Sequence, residues 1–302
     1  MSTSYHVAVI GLGAMGMGAA RSCLRAGLTT YGIDLSEQAR SQLQQAGAAA
    51  VMADARPLAE TLDAVLLLVV NATQVRRILL GDEGLARHLK PGTAIMVSST
   101  IAAEEASSLA AELAQLGLPM LDAPVSGGAI KADAGEMTVM AAGADAAFDK
   151  LAPVLDAVAG KLYRVGSEPG QGSTVKIIHQ LLAGVHIAVA AEAMALASKA
   201  GVPLDLMYDV VTHAAGNSWM FENRMPRVLT GDYQARSAVD IFVKDLTLVA
   251  DTAKALRFPL PLASTALNMF LSASNAGHGQ EDDSAVIKTF SGITLPGQEE
   301  RP

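Results

Sequence analysis

Lys176, His179 and Gln180 are the residues whose types and spacing speak most directly of chemistry. They lie in the run Gly170-Gln171-Gly172-Ser173-Thr174-Val175-Lys176-Ile177-Ile178-His179-Gln180, and an apolar stretch continues from there to Lys199. The whole reads as one long helix. Ser173 or Thr174 can cap its start, Gly201 lies just past its end and Pro203 blocks continuation. At helical spacing, Lys176, His179, Gln180 and Ala183 share a face. An amine held beside two hydrogen-bonding side chains can take or give the proton of a reacting hydroxyl. It acts as a base only when neutral, and desolvation on an apolar helix favours that form. The competing reading is a lysine that lays its stem on apolar surface and keeps its ammonium in water.

A second set lies at the other end of the chain. Gly11-Leu12-Gly13-Ala14-Met15-Gly16 follows directly on the apolar strand His6–Ile10 and leads into a helix expected over 19–26. Gly11 permits the tight turn, Gly13 lets a pyrophosphate approach the backbone, and Gly16 lets helix and strand pack closely. The helix start offers free N–H groups to phosphate through Leu12, Ala14 and Met15 as well. A second strand, 29–33, ends on Asp34, at the distance where a carboxylate meets the adenosine ribose hydroxyls. That carboxylate would repel a 2′-phosphate, so the motif points to NAD rather than NADP. A glycine turn without a ligand is the alternative.

These residues need a scaffold, and the intervening sequence supplies one. The continuous apolar run at 64–70 reads as a strand of the parallel-sheet type, and 94–97, 120–122, 137–142 and 161–165 supply further strands. Three polar segments follow such strands, on the edge where open α/β sheets bind ligands. Val70-Asn71 and Thr100 can reach a cofactor; Ser98 and Ser99 can equally be helix-capping hydroxyls. Ser126-Gly127-Gly128 can turn backbone N–H groups toward an anion, or can be a plain turn. Lys131 nearby reads as a solvated charge. Beyond Gly172 the periodicity is helical throughout, at 204–214, 236–256 and 263–276. The expected architecture is an α/β Rossmann-type N-terminal domain over 1–166 and an all-α C-terminal domain over 167–302. The latter begins with the interdomain helix at 173–200. In the second half Trp219 is read as a packing anchor or pocket wall, and Lys244-Asp245 as a solvated helix pair.

Composition narrows the classes. The 302 residues are 51% hydrophobic and 17% charged, with a net charge of -8. No cluster of Lys and Arg is present, which disfavours nucleic acid and anionic membrane as partners. His186 and Glu192 interrupt the run 181–197, against a membrane span. Cys23 is the sole cysteine and the six histidines are scattered, so neither a disulfide nor a metal site is expected. No secretory leader is evident, giving a cytoplasmic expectation. The apolar helices favour a homodimer or homotetramer.

In four ordered motifs the chain resembles the β-hydroxyacid dehydrogenase family, which includes 3-hydroxyisobutyrate dehydrogenase. They are Gly11-x-Gly13-x-x-Gly16, Asp122-Ala123-Pro124-Val125-Ser126-Gly127-Gly128, Gly170-x-Gly172 ahead of Lys176, and Lys244-Asp245-Leu246. The resemblance implies that Lys176 is catalytic, that Ser126, Gly127 and Gly128 hold the substrate, and that Thr100 and Lys244 touch the cofactor. Family members commonly carry Asn where this chain has His179 or Gln180. The altered pair implies a different hydroxyl pattern on the substrate. The expected activity is therefore NAD-dependent oxidation of a secondary hydroxyl in a small carboxylate sugar acid. Activity of the 3-hydroxyisobutyrate or tartronate semialdehyde type, and a non-catalytic NAD-binding sensor, are the alternatives.

Overall fold

The computed structural model describes residues 4–296. The chain divides into two compact units, Met1–Lys176 and Ile177–Pro302.

The first unit is built on a nine-stranded sheet. Its strands are β1 (His6–Ile10), β2 (Thr29–Ile33), β3 (Ala50–Met52), β4 (Ala64–Leu67), β5 (Ala94–Val97), β6 (Met120–Asp122), β7 (Val125–Ser126), β8 (Met137–Ala142) and β9 (Ala159–Gly166). The order is β3-β2-β1-β4-β5-β6-β8-β7, with β9 also paired to β8. The pairs from β3 to β6 are parallel, β8 runs antiparallel to β6 and β7, and β9 runs parallel to β8. The helices between strands are α1 (Ala14–Arg25), α2 (Glu37–Gln45), α3 (Ala72–Leu80), α4 (Ala103–Gln115), α5 (Gly128–Ala134) and α6 (Asp145–Val158).

Alternation along the central strands explains why their sequences read as unbroken apolar runs. Val7, Val9, Leu66, Met96 and Leu121 enter one core cluster, whereas Ala8, Ile10, Val65, Leu67, Ile95 and Val97 enter another. Successive side chains point to opposite faces, and both faces are covered. The first helix begins at Ala14, not 19, because Gly13 already serves as its N-cap. The strand expected to reach Val70 stops at Leu67.

α7 (Gln171–Lys199) is one unbroken helix, about 43 Å long at 1.5 Å per residue. Its most apolar 18-residue window has the composition of a membrane span, and half of that window is buried within the fold.

The second unit is all-helical among its described residues, with α8 (Leu204–Thr212), α9 (Trp219–Thr230), α10 (Val239–Ala255) and α11 (Pro261–Ala273) following α7. Its core gathers Ile187, Met194, Phe221, Met225, Phe242, Leu246 and Phe270. Phe242 and Phe270 stack with ring centroids 5.2 Å apart. Buried arginines meet buried carboxylates in this unit: Arg224 grips Asp283 at 2.7 and 3.0 Å, and Arg227 binds Asp282. Trp219 is not a packing anchor. It opens α9 half-exposed, and Phe221, two residues on, takes the buried place and stacks on Tyr208.

Candidate active site

The glycine turn is closed by packing that only glycine permits. Gly11 sits at φ 90°, and a Cβ on Gly16 would lie 1.7 Å from the Gly11 carbonyl oxygen. A Cβ on Gly13 would meet nothing within 4 Å, so the turn presents open space where a phosphate would approach. No side-chain cap closes the first turn of α1, which leaves its N–H groups to a ligand. Leu12 is buried, Gly13 and Ala14 are exposed, and Met15 lies between. Asp34 follows β2 and reaches back: its Oδ2 accepts the Leu12 N–H at 2.7 Å, and its Oδ1 accepts the Ser36 N–H at 2.7 Å. One carboxylate thus braces the glycine turn from the end of β2. These features fit a dinucleotide.

The neighbouring segments lie beyond the C-terminal ends of β4 and β5. Asn71 caps α3 by accepting the Gln74 N–H at 2.9 Å, and Gln74 Oε1 accepts the Val70 N–H at 2.8 Å. Thr100 is half-buried in the loop after β5. Ser99 does not cap a helix, since α4 starts only at Ala103 with Ala102 as N-cap. The Ser99 hydroxyl is instead buried without a hydrogen-bond partner, while Ser98 donates to the Ala123 carbonyl at 2.8 Å.

Ser126 ends β7, and Gly127 and Gly128 follow at φ 131° and 72°. The turn is the entry to α5, and the Lys131 stem packs against Gly127.

The lysine helix is not capped by Ser173 or Thr174. Both fall inside it, and the acceptor comes from β6. Asp122, fully buried, accepts the Gly170 N–H and the Ser173 N–H at 2.8 Å each through Oδ2, and the Ser173 hydroxyl at 2.7 Å through Oδ1. A carboxylate at a helix start satisfies orphan N–H groups and meets the positive end of the dipole. Burial pushes the Asp122 carboxyl above its usual range, while the bonds from Ser173 and Gly170 pull the other way. Gly172 makes the close approach possible: a Cβ there would lie 2.4 Å from the Asp122 carbonyl oxygen and 2.7 Å from that of Met140. One turn beyond the clamp is Lys176, with only 6% of its surface exposed. That excludes the lysine whose head sits in water.

In the second unit, Asp245 corrects the solvated-pair reading. It is 2% exposed and accepts Gln180 Nε2 through Oδ2 and Lys244 Nζ through Oδ1, each at 2.5 Å. Gln180 Oε1 in turn lies 2.9 Å from His179 Nδ1. Sequence reasoning passed over Asp122 and Asp245 as actors. The signal was there in one respect: a carboxylate closing an apolar strand must find donors.

A glycine turn braced by an acidic residue, with a buried lysine in the same compact unit, defines a dinucleotide-dependent oxidoreductase. Comparison with known proteins agrees. Residues 6–166 match the model for the NAD binding domain of 6-phosphogluconate dehydrogenase. Residues 170–290 match that for the NAD-binding region of NADP-dependent 3-hydroxyisobutyrate dehydrogenase. An L-threonate dehydrogenase from Escherichia coli O6:H1 is 72% identical over 295 residues, covering 98% of each chain. One from Cupriavidus necator is 54% identical, covering 98% of this chain and all of that one. A crystal structure described as 3-hydroxyisobutyrate dehydrogenase from Salmonella typhimurium is 69% identical, covers 95% of this chain and 100% of that chain, and superposes with a TM-score of 0.92. The chain belongs to the β-hydroxyacid dehydrogenase family, NAD-dependent oxidoreductases acting on CH–OH groups. The sensor alternative falls away.

Proposed function

We propose that this enzyme oxidises L-threonate to its 2-oxo acid. The observation that carries the reading is the burial of Lys176 one turn beyond the Asp122 clamp, in the unit that holds the glycine turn. The name shared by the relatives at 72% and 54% identity supports the substrate.

Gly11 to Gly16 and Asp34 would hold NAD, with Val70, Asn71, Thr100 and Lys244 as further contacts. The bound coenzyme supplies the hydride acceptor. The substrate carboxylate docks on the Ser126 hydroxyl and the N–H groups of Gly127 and Gly128, and the secondary hydroxyl lies against Lys176 Nζ. The lysine takes the hydroxyl proton at Nζ as the C–H bond breaks, and its N–H groups stabilise the developing oxyanion. His179 and Gln180 engage the remaining hydroxyls. The Asp122 clamp keeps the lysine's helix turn from shifting, which preserves the attack geometry.

A second reading, 3-hydroxyisobutyrate, is favoured by the likeness to the Salmonella structure described as 3-hydroxyisobutyrate dehydrogenase. NAD reduction measured with L-threonate, D-threonate, the two erythronates, D-glycerate and 3-hydroxyisobutyrate separates them. L-threonate is expected to give the highest kcat/KM; a higher value with 3-hydroxyisobutyrate would overturn the assignment.

We further infer a cytoplasmic homodimer or homotetramer. Ile178, Leu182, Val189 and Leu196 are exposed on α7 at spacings of four, seven and seven, the stripe that a second helix covers. Light scattering of the purified chain tests the assembly.

A further inference from the structure

The hydrogen bonds around Asp245 determine which atoms Gln180 and His179 offer. A carboxylate only accepts, so Gln180 must turn its NH₂ to Asp245. Its carbonyl oxygen then faces His179 Nδ1, and that oxygen only accepts. In the neutral imidazole the proton must therefore sit on Nδ1, which makes Nε2 the acceptor nitrogen. Lys244 Nζ holds the other Asp245 oxygen, so the carboxylate cannot rotate away without breaking an ion pair. Asp245 is almost wholly buried, and an unpaired charge there would be costly. The chain of orientation has one sense only.

We propose that Asp245 is a positioning residue which, through Gln180, fixes His179 in its Nδ1–H tautomer, so that His179 reads a substrate hydroxyl as an acceptor at Nε2. This rests on the sugar-acid reading above and deepens it. Gln180 is the bridge, and its length matters: the extra methylene relative to Asn lets one amide span Asp245 and His179. A hydroxyl donates to Nε2; a carbon bearing only hydrogen does not. The site consequently discriminates by the hydroxyls flanking the reacting carbon. A site built to bond a hydroxyl rejects the analogue lacking it more strongly than a merely apolar pocket rejects a small change in size.

The test uses the holoenzyme with NAD. Nitrogen-15 spectra of histidine-labelled protein, with His179 assigned by its loss in His179→Gln, report which ring nitrogen carries the proton. Nδ1–H is expected; Nε2–H would overturn the proposal. Kinetics supply the second arm. Gln180→Met keeps the side-chain length, leaves Asp245 and Lys244 paired and removes the bridge. It is expected to lower kcat/KM for L-threonate about tenfold more than for 2-hydroxybutyrate or 3-hydroxybutyrate, each of which has one hydroxyl. Where the one-hydroxyl acids turn over too slowly, their inhibition constants against L-threonate give the same ratio. Equal losses would overturn the hydroxyl-reading role. If the wild type turns over none of these acids, the sugar-acid reading fails, and the tautomer spectrum still decides whether Asp245 and Gln180 set the imidazole.

Discussion

Asp122 Oδ1 and Oδ2 accept the hydroxyl and the backbone N–H of Ser173, at 2.7 and 2.8 Å, across 51 residues of sequence. The strand β6 thereby holds the helix that carries the lysine. Asp122→Asn offers one acceptor oxygen in place of two and sets an NH₂ against a donor. The expected cost is about 1–3 kcal/mol, the price of leaving a buried group unsatisfied. Because the folded carboxyl titrates above its unfolded value, its contribution is complete at low pH and is lost as pH rises through the folded value, from about pH 4 upward. The Asn variant should lack that component. Thermal unfolding of both proteins across pH measures it, and kcat should fall more than the KM for NAD rises.

Asp34 braces the glycine turn, and the proposed ribose contact would give it a second duty that its replacement should expose. Asp34→Asn can accept only one of the two N–H groups that Leu12 and Ser36 present. NAD binding should weaken about tenfold or more, since a hydrogen bond to a charged group contributes about 1.5–3 kcal/mol. The NADP-to-NAD ratio of kcat/KM should rise. An unchanged ratio would remove Asp34 from the ribose site.

Lys176→Ala should lower kcat roughly 100- to 10,000-fold, the range for losing a general acid–base group. NAD affinity, followed by fluorescence titration, should stay within about twofold, because the proposed phosphate and ribose contacts lie elsewhere. Near-normal turnover would reject the lysine as the proton-handling group.

The Arg227–Asp282 pair gives the second unit an acid sensitivity. Burial raises the Asp282 carboxyl, but hydrogen bonds from Arg227 and Ser284 outweigh it and hold the group below the usual carboxylate range. A depressed carboxyl contributes stability above its unfolded pKa, and that contribution is lost as pH falls through the folded value. The advantage of the wild type over Asp282→Asn at neutral pH should therefore shrink below about pH 4. Denaturant unfolding of the two proteins at several pH values reads the difference.

What the sequence disclosed follows the range of the forces involved. The β1 turn, its three glycines and Asp34 were legible because their geometry is local. β2, β5, β6 and β8 begin and end at the residues expected for them. α6 and α9 carry Pro153 and Pro226 inside them, and local rules see a breaker where tertiary packing tolerates one. The clamp on α7 was illegible because its acceptor lies some fifty residues upstream. Asp245 looked like a solvated charge for the same reason: Gln180 comes from another helix, 65 positions away.

Gly172 carries the last consequence. With strand oxygens at 2.4 and 2.7 Å from any added carbon, even alanine must lift the helix start off the sheet. A library of single replacements across 170–180 should show opposite signatures at 172 and 176. Variants at 176 should fold normally and stay inert, whereas variants at 172 should lose their fit to the sheet and regain activity only with changes near 122 or 140. Directed evolution toward other acids has freer choice at 179 than at either.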